Sequence, residues 1–177
     1  GMEKPRSGLR TPYPERMTNL AICPGSFDPI TLGHVDVIRR ARSIFDEVVV
    51  AVAHNASKNY LFALDQRSAL VRQAVAGIDG VRVEVVNGLL STFAQEHGAS
   101  AIVKGLRSSH DFDDELAMSL MNRHLSGIET VFIMGDPAFA HVASSLVKDV
   151  ARHGGEVAGL VPDPVAAALG RRFADGR

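Results

Sequence analysis

The sequence predicts an α/β fold: a Rossmann-like, doubly wound five-stranded parallel sheet with helices on both faces. Three observations predict it. From Asn19 onward, five short apolar runs bounded by turn residues alternate with longer segments of helical period, the pattern of βαβ units. One of those runs, Val48 to Ala53, has no polar alternation, as a strand buried on both faces requires. The polar and basic segments follow the strands, at the carboxyl ends where an open parallel sheet binds its ligands.

The first strand, Leu20 to Cys23, is an apolar run that stops at Pro24 and Gly25. The loop after it gives way to a helix marked by Val35, Ile38, Ala41 and Phe45. Val48 to Ala53 is the second and central strand, followed by a polar stretch, His54 to Tyr60, and a helix carrying Leu70, Val71, Ala74 and Val75. The third strand, Val81 to Val86, leads into a helix with Leu89, Leu90, Phe93 and Ala94 on one face. The fourth, Ala101 to Val103, precedes the charged segment Lys104 to Glu115, and the helix growing from it presents Phe112, Leu116 and Leu120. The fifth, Thr130 to Met134, is followed by a helix set out by Leu146, Val147 and Val150. Pro162 and Pro164 punctuate the start of a last helix, Val165 to Arg172. Most of these apolar helix residues are expected to be core.

Composition bounds the rest. A chain of 177 residues, 46% apolar, is long enough to close one hydrophobic core, so residues 17–177 are expected to form a single domain. The first sixteen residues hold three prolines and two glycines without apolar periodicity, which reads as a disordered extension, native or left over from expression. A net charge of -1 excludes the broad basic surface that non-specific nucleic-acid binding needs, so any phosphate must be met locally. Cys23 is the only cysteine and has no internal disulfide partner. Neither a secretory signal pattern nor an apolar run approaching about twenty residues is present, so the expectation is a soluble, cytoplasmic protein without membrane or nucleic-acid partners.

The loop Pro24-Gly25-Ser26-Phe27-Asp28-Pro29-Ile30-Thr31-Leu32-Gly33-His34 joins the first strand to the first helix. Gly25 allows a tight turn, Ser26 supplies a hydroxyl and an N–H, and Gly33 removes bulk where a ligand could approach. His34 then falls in the first helical turn, where free N–H groups and the dipole favour an anion. A phosphate site is the natural reading. The blander one is a strand-to-helix loop with a surface histidine. Lys104 and Arg107, directly after an apolar strand, lie on the ligand edge of the sheet. Ser144 and Ser145 are placed to cap the following helix.

The run Gly25 to His34 resembles the T/HxGH signature of the nucleotidylyltransferases, in the threonine form typical of phosphopantetheine adenylyltransferases. The resemblance continues through Ser57-Lys58, Gly88 to Leu90, Lys104 to Arg107, Asp111 to Glu115, Met121 to His124 and Ser144 to Lys148, covering Met17 to Phe173 in order. It implies transfer of the adenylyl group of ATP to 4'-phosphopantetheine, with release of pyrophosphate and with Mg²⁺ carried on the ATP phosphates rather than in a protein cage. It also implies a homohexamer, for which the segment Asp111 to His124 is a plausible contact element. Ser26, Lys58, Leu90 and Lys104 are the implied contacts of 4'-phosphopantetheine. The implied ATP contacts are Ser26, Phe27, His34, Gly105, Leu106, Arg107, Glu115 and the stretch Phe139, Ala140, His141, Val142, Ala143, Ser144 and Ser145. Catalysis is expected of His34, as transition-state stabiliser, with Lys58, Lys104 and Arg107. The chemistry agrees, because a phosphate monoester is largely dianionic at neutral pH and needs no general base, only positioning and cationic or N–H donors.

Three positions depart from the family pattern. Lys104 stands where many members have arginine, keeping charge but losing the bidentate fork. Asp114 replaces an aromatic residue. The segment Phe139 to Ser145 has Ala140, His141 and Ala143 where serines or an aromatic are usual. Other enzymes of the superfamily, or a nucleotide-binding module without chemistry, are the alternatives; Thr31 argues against the first, and the set His34, Lys58, Lys104 and Arg107 against the second.

Overall fold

A computed structural model describes residues 18–174; the expected extension, residues 1–16, lies outside them. The chain runs β1 (Leu20–Gly25), α1 (Leu32–Ile44), β2 (Glu47–Ala53), α2 (Leu64–Val75), β3 (Val81–Val86), α3 (Leu90–Glu96), β4 (Ala101–Leu106), α4 (Ser109–Ser126), β5 (Glu129–Met134), α5 (Ser144–Arg152) and α6 (Asp163–Ala174). A single 3₁₀ turn, Pro137–Phe139, sits between β5 and α5. All five strands pair in parallel, in the order β3-β2-β1-β4-β5.

That order contains one reversal. The chain winds outward from β1 through β2 to β3, then crosses back to lay β4 on the other side of β1. Such a switch point is where an open sheet leaves a crevice. Here the crevice is widened by register: β1 and β4 share partners only at Ala21↔Ala101 and Ile22↔Ile102. Past that base, β1 stays with β2 as far as Gly25↔Val52, while β4 stays with β5 as far as Leu106↔Met134. The two central strands therefore part, and their carboxyl ends become walls.

Side chains on either face of the sheet build separate cores. Ala21, Cys23, Val48, Val50 and Val52 pack with Val35, Ile38 and Ala41 of α1, Leu70, Val71 and Val75 of α2, Val147 of α5 and Val165, Ala168 and Leu169 of α6. Leu20, Ile22, Val49, Ala51 and Ile102 pack with Phe93 and Ala94 of α3 on the other face. Val48 to Val52 are wholly buried, as a strand covered on both faces demands, although β1 rather than β2 takes the middle of the sheet, because β4 pairs on its other side. Helices on both faces of a parallel sheet bear out the expected fold class.

Two expectations need correction. β4 runs through Lys104, Gly105 and Leu106, three residues beyond Val103, because β5 supplies partners for each: Phe132, Ile133 and Met134. Pairing overrides the weak strand preference of lysine and glycine. The apolar face of α4 is not core. Phe112, Leu116 and Leu120 are 38%, 40% and 49% exposed, and Asn122 is the one buried residue of that helix. α4 lies against α3 and the edge of the sheet at β4 and β5, and among the described residues no other element packs broadly on its outer side. Leu89 and Leu146 are likewise exposed.

Candidate active site

Between the parted ends of β1 and β4 lies a cleft of about 450 Å³, a size that holds a small-molecule ligand. One wall is the loop after β1. Gly25, the last residue of β1, leaves room for it, since a Cβ would come 3.1 Å from the ring of Phe27, and Phe27 itself is buried at a left-handed φ of 49°. The opposite wall is β4, where Gly105 lets the strand pass α1: a Cβ would come 2.7 Å from Val37.

The floor is the start of α1. Thr31 is its N-cap and its hydroxyl accepts from the N–H of His34 at 3.3 Å. In return Nδ1 of His34 accepts from the N–H of Thr31 at 3.0 Å, with the Thr31 hydroxyl also 3.2 Å away. This is a capping box with histidine in the place of the usual glutamate or glutamine. Its chemical consequence is a tautomer: with Nδ1 accepting, the neutral ring carries its proton on Nε2. Burial first, and the nearby Arg107 second, push the pKa of His34 down to about 4, so the ring is neutral at ordinary pH. Phe27 meets it edge-on at 5.1 Å. His34 is thus fixed as a neutral N–H donor.

The cations of the β4 wall are already engaged. Lys104 Nζ is 3.0 Å from a carboxylate oxygen of Glu115. Arg107 binds Asp111 through Nε at 3.3 Å and donates from Nη1 to the Val142 carbonyl at 3.1 Å. Asp111 also accepts from the backbone N–H of Arg107 at 2.9 Å. The pair Asp111 and Glu115, four apart on α4, is therefore more than a solvated face; each holds one cation of the wall. The roof is the 3₁₀ turn with Phe139, then Val142, Ala143 and the start of α5. Ser144 and Ser145 do not cap that helix. The N-cap is Ala143, without a side-chain bond, and the Ser144 hydroxyl donates to the Pro29 carbonyl at 2.8 Å.

Phe27, His34, Lys104, Gly105, Leu106, Arg107 and Glu115 thus line one cleft, together with Phe139 and the stretch Val142 to Ser145. Ala140 and His141 are exposed and do not line it. Nor do Ser26, Lys58 and Leu90, which flank it at the ends of β1, β2 and β3. The loops behind this flank are tied together by residues to which the sequence assigns no role. Arg67 of α2, wholly buried, donates to the carbonyls of Phe62, Ser26 and Ala53 at 3.1, 2.6 and 2.8 Å. Asp28 accepts from the N–H groups of Leu61 and Phe62 at 2.8 and 3.0 Å and pairs with Lys148 of α5 at 3.1 Å. Cys23 lines the cleft as a thiol, its pKa raised to about 12 by burial.

The sheet order and switch-point cleft are those of a doubly wound α/β protein, and the Cytidylyltransferase-like family profile, which matches residues 22–150, places the chain in the nucleotidylyltransferase class. A solved structure, the lipopolysaccharide core biosynthesis protein from Thermoplasma volcanium, superposes with a TM-score of 0.51 at 22% identity, covering 68% of this chain and 98% of that one, which shows the shared fold. Closer likeness comes from relatives named phosphopantetheine adenylyltransferase. The protein of Bifidobacterium longum is 48% identical, over 89% of this chain and 96% of its own. That of Pseudarthrobacter chlorophenolicus is 52% identical over 82% and 88%, and that of Corynebacterium glutamicum 47% over 88% and 98%. The chain belongs to the phosphopantetheine adenylyltransferase family.

Proposed function

We propose that the chain transfers the adenylyl group of ATP to 4'-phosphopantetheine, giving dephospho-coenzyme A and pyrophosphate, by direct in-line attack of the substrate phosphate on the α-phosphate. The observation that carries this reading is His34, held as a neutral Nε2–H donor at the foot of the cleft with Lys104 and Arg107 on the wall. The nucleophile is already a dianion, so the reaction requires two anions to be brought together and charge to be met as pyrophosphate leaves. A neutral donor suits that task, because it adds no charge to the ground state and strengthens as the phosphoryl oxygens gain charge.

In this reading ATP occupies the cleft. Phe27, Gly105 and Leu106 flank it, and Arg107 faces its phosphates. Phe139 to Ser145 lie along the far side, Ala140 and His141 at its exposed rim. 4'-Phosphopantetheine enters from the side of β2 and β3, with Ser26, Lys58 and Lys104 on its phosphate and Leu90 beside the arm. Glu115 holds Lys104 in place to meet that phosphate. Mg²⁺ enters this reading on the triphosphate, where it typically keeps several waters. Bound there, it would neutralise part of the phosphate charge.

The reading extends to a cytoplasmic homohexamer. Among the described residues no helix is long and apolar enough to cross a membrane. The bare face of α4, with Leu116, Met118, Leu120, Met121 and Leu125 each 40% exposed or more, is the kind of surface a second copy covers. Incubation with ATP, magnesium and 4'-phosphopantetheine tests the reaction: pyrophosphate should appear only with all three present. Light scattering tests the assembly, which should weigh six times 18.9 kDa.

A further inference from the structure

Beside the cleft, the loop after β2 closes on Ser26 through Tyr60, a side chain that no reading so far employs. Its ring lies beneath the Arg67 guanidinium, 3.9 Å from the centroid, and beside His54, with ring centroids 5.2 Å apart. Arg67 is anchored by three backbone carbonyls and by Nδ1 of His54 at 2.9 Å. A ring stacked on so fixed a neighbour is aimed, and its hydroxyl with it.

The Tyr60 hydroxyl accepts from the Asn55 N–H at 2.9 Å, leaving its own proton directed elsewhere. It faces Ser26 Oγ at 3.5 Å, too far for a strong bond between hydroxyls. Two hydroxyls at that separation can, however, each stand about 2.7 Å from one shared oxygen. Although burial opposes it, hydrogen bonds with Ser26 and Asn55 and the charges of Arg67 and Lys58 hold the phenol below its ordinary pKa. A more acidic phenol is a stronger donor to an anion.

We propose that Tyr60 is a further substrate-binding residue: its hydroxyl and that of Ser26 donate to one oxygen of the 4'-phosphopantetheine phosphate, on which Lys58 closes from the same loop. This rests on the adenylyltransferase reading above. Tyr60→Phe removes the donor while leaving the ring under Arg67. Calorimetric titration of the intact protein with 4'-phosphopantetheine, with pantetheine and with ATP reads the effect. Affinity for 4'-phosphopantetheine should fall about tenfold or more, as loss of a hydrogen bond to a charged group does, while the other two ligands change by less than about twofold. Equal weakening of pantetheine, which lacks the phosphate, would overturn the proposal and leave Tyr60 a shaper of the loop; so would no weakening of either. Melting temperature separates misfolding, and Tyr60→Ala, which also removes the stack on Arg67, should lower it where Tyr60→Phe does not. Wild-type protein that binds these ligands but releases no pyrophosphate would sink the adenylyltransferase reading instead, with the selective loss in Tyr60→Phe still judging the phosphate contact.

Discussion

The two flanks of the site are built on different principles. On the β4 side, His34 and the two cations are each held by a partner: His34 by Thr31 at the cap of α1, Lys104 by Glu115, and Arg107 by Asp111 and the Val142 carbonyl. On the β2 side the charge is Lys58, exposed on a loop, and order comes from beneath, from the buried Arg67 and the ring it covers. The first arrangement is preorganised, so its groups meet the transition state without rearranging. The second is a receiving edge, whose groups act by capturing a substrate. Substitutions on the β4 side should therefore appear in turnover, with Lys104 showing in affinity as well because it shares the substrate phosphate, and those on the β2 side in affinity.

His34→Ala is the strongest way to break that contrast. Removing one donor to a developing oxyanion costs about 10² to 10³ in turnover, or roughly 3 to 4 kcal/mol, so kcat should fall by that order while ATP affinity falls far less. A folded variant with near-normal kcat would refute the assignment. The depressed pKa adds a pH test. Between about 4 and the ordinary 6.5 the unfolded chain binds a proton at this position that the native chain refuses. Stability from this group is thus complete above 6.5 and declines as pH falls toward 4, and His34→Asn should flatten that part of the profile.

Arg67→Met tests the foundation of the other flank. Three carbonyls, that of Phe62 buried and those of Ser26 and Ala53 partly so, would lose their donor, and a loss of about 3 kcal/mol in unfolding free energy is expected, read by denaturant titration. Equilibrium stability within about 1 kcal/mol of wild type would mean water replaces the guanidinium and the loop needs no buried anchor.

How much of this was legible in the sequence follows from how local each feature is. The five strands and the helix faces of α1 and α2 announce themselves in period alone, whereas the His34 loop shows only through its residue types, neighbours in the chain, and through the family resemblance they carry. The Thr31–His34 box was legible in principle, as a threonine three residues before a side chain able to reach back. Arg67 was not: an arginine between Gln66 and Ser68 looks like any solvated helix position, and only the carbonyls of Ser26 and Ala53, distant in sequence, make it core. The length of β4 depended on β5, and the pairing of Lys104 with Glu115 on how α4 leaves the sheet. The apolar face of α4 shows the opposite failure, where a core-like period marks a surface instead.

Lys58→Ala and Lys104→Ala sharpen the division at the phosphate they are proposed to share. Each should weaken 4'-phosphopantetheine more than ATP, by about tenfold to a hundredfold, the range for a charge-assisted bond. Lys104→Ala should in addition lower kcat, since it leaves Glu115 facing the reacting phosphates without its cation. Separate titrations of the two ligands decide it. If ATP suffered most in both variants, the site would not divide between these flanks.

The smallest expected effect concerns Ala143, at the N-cap of α5 with φ -122° and ψ 145°, a conformation ready for a capping side chain that alanine lacks. Ala143→Ser places an oxygen where it can accept from the N–H of the second or third residue of the helix. The free protein should gain about 1 kcal/mol, seen as a melting temperature higher by about 2 to 4 °C. What happens with ATP then bears on the contrast between flanks. If the first turn of α5 meets ATP phosphates through its N–H groups, the new serine competes for those same donors. The melting gain should then shrink in saturating ATP while ATP affinity falls slightly, by less than about threefold. An unchanged gain with ATP bound would place the phosphates away from this helix end, leaving the β4 wall and His34 to hold them.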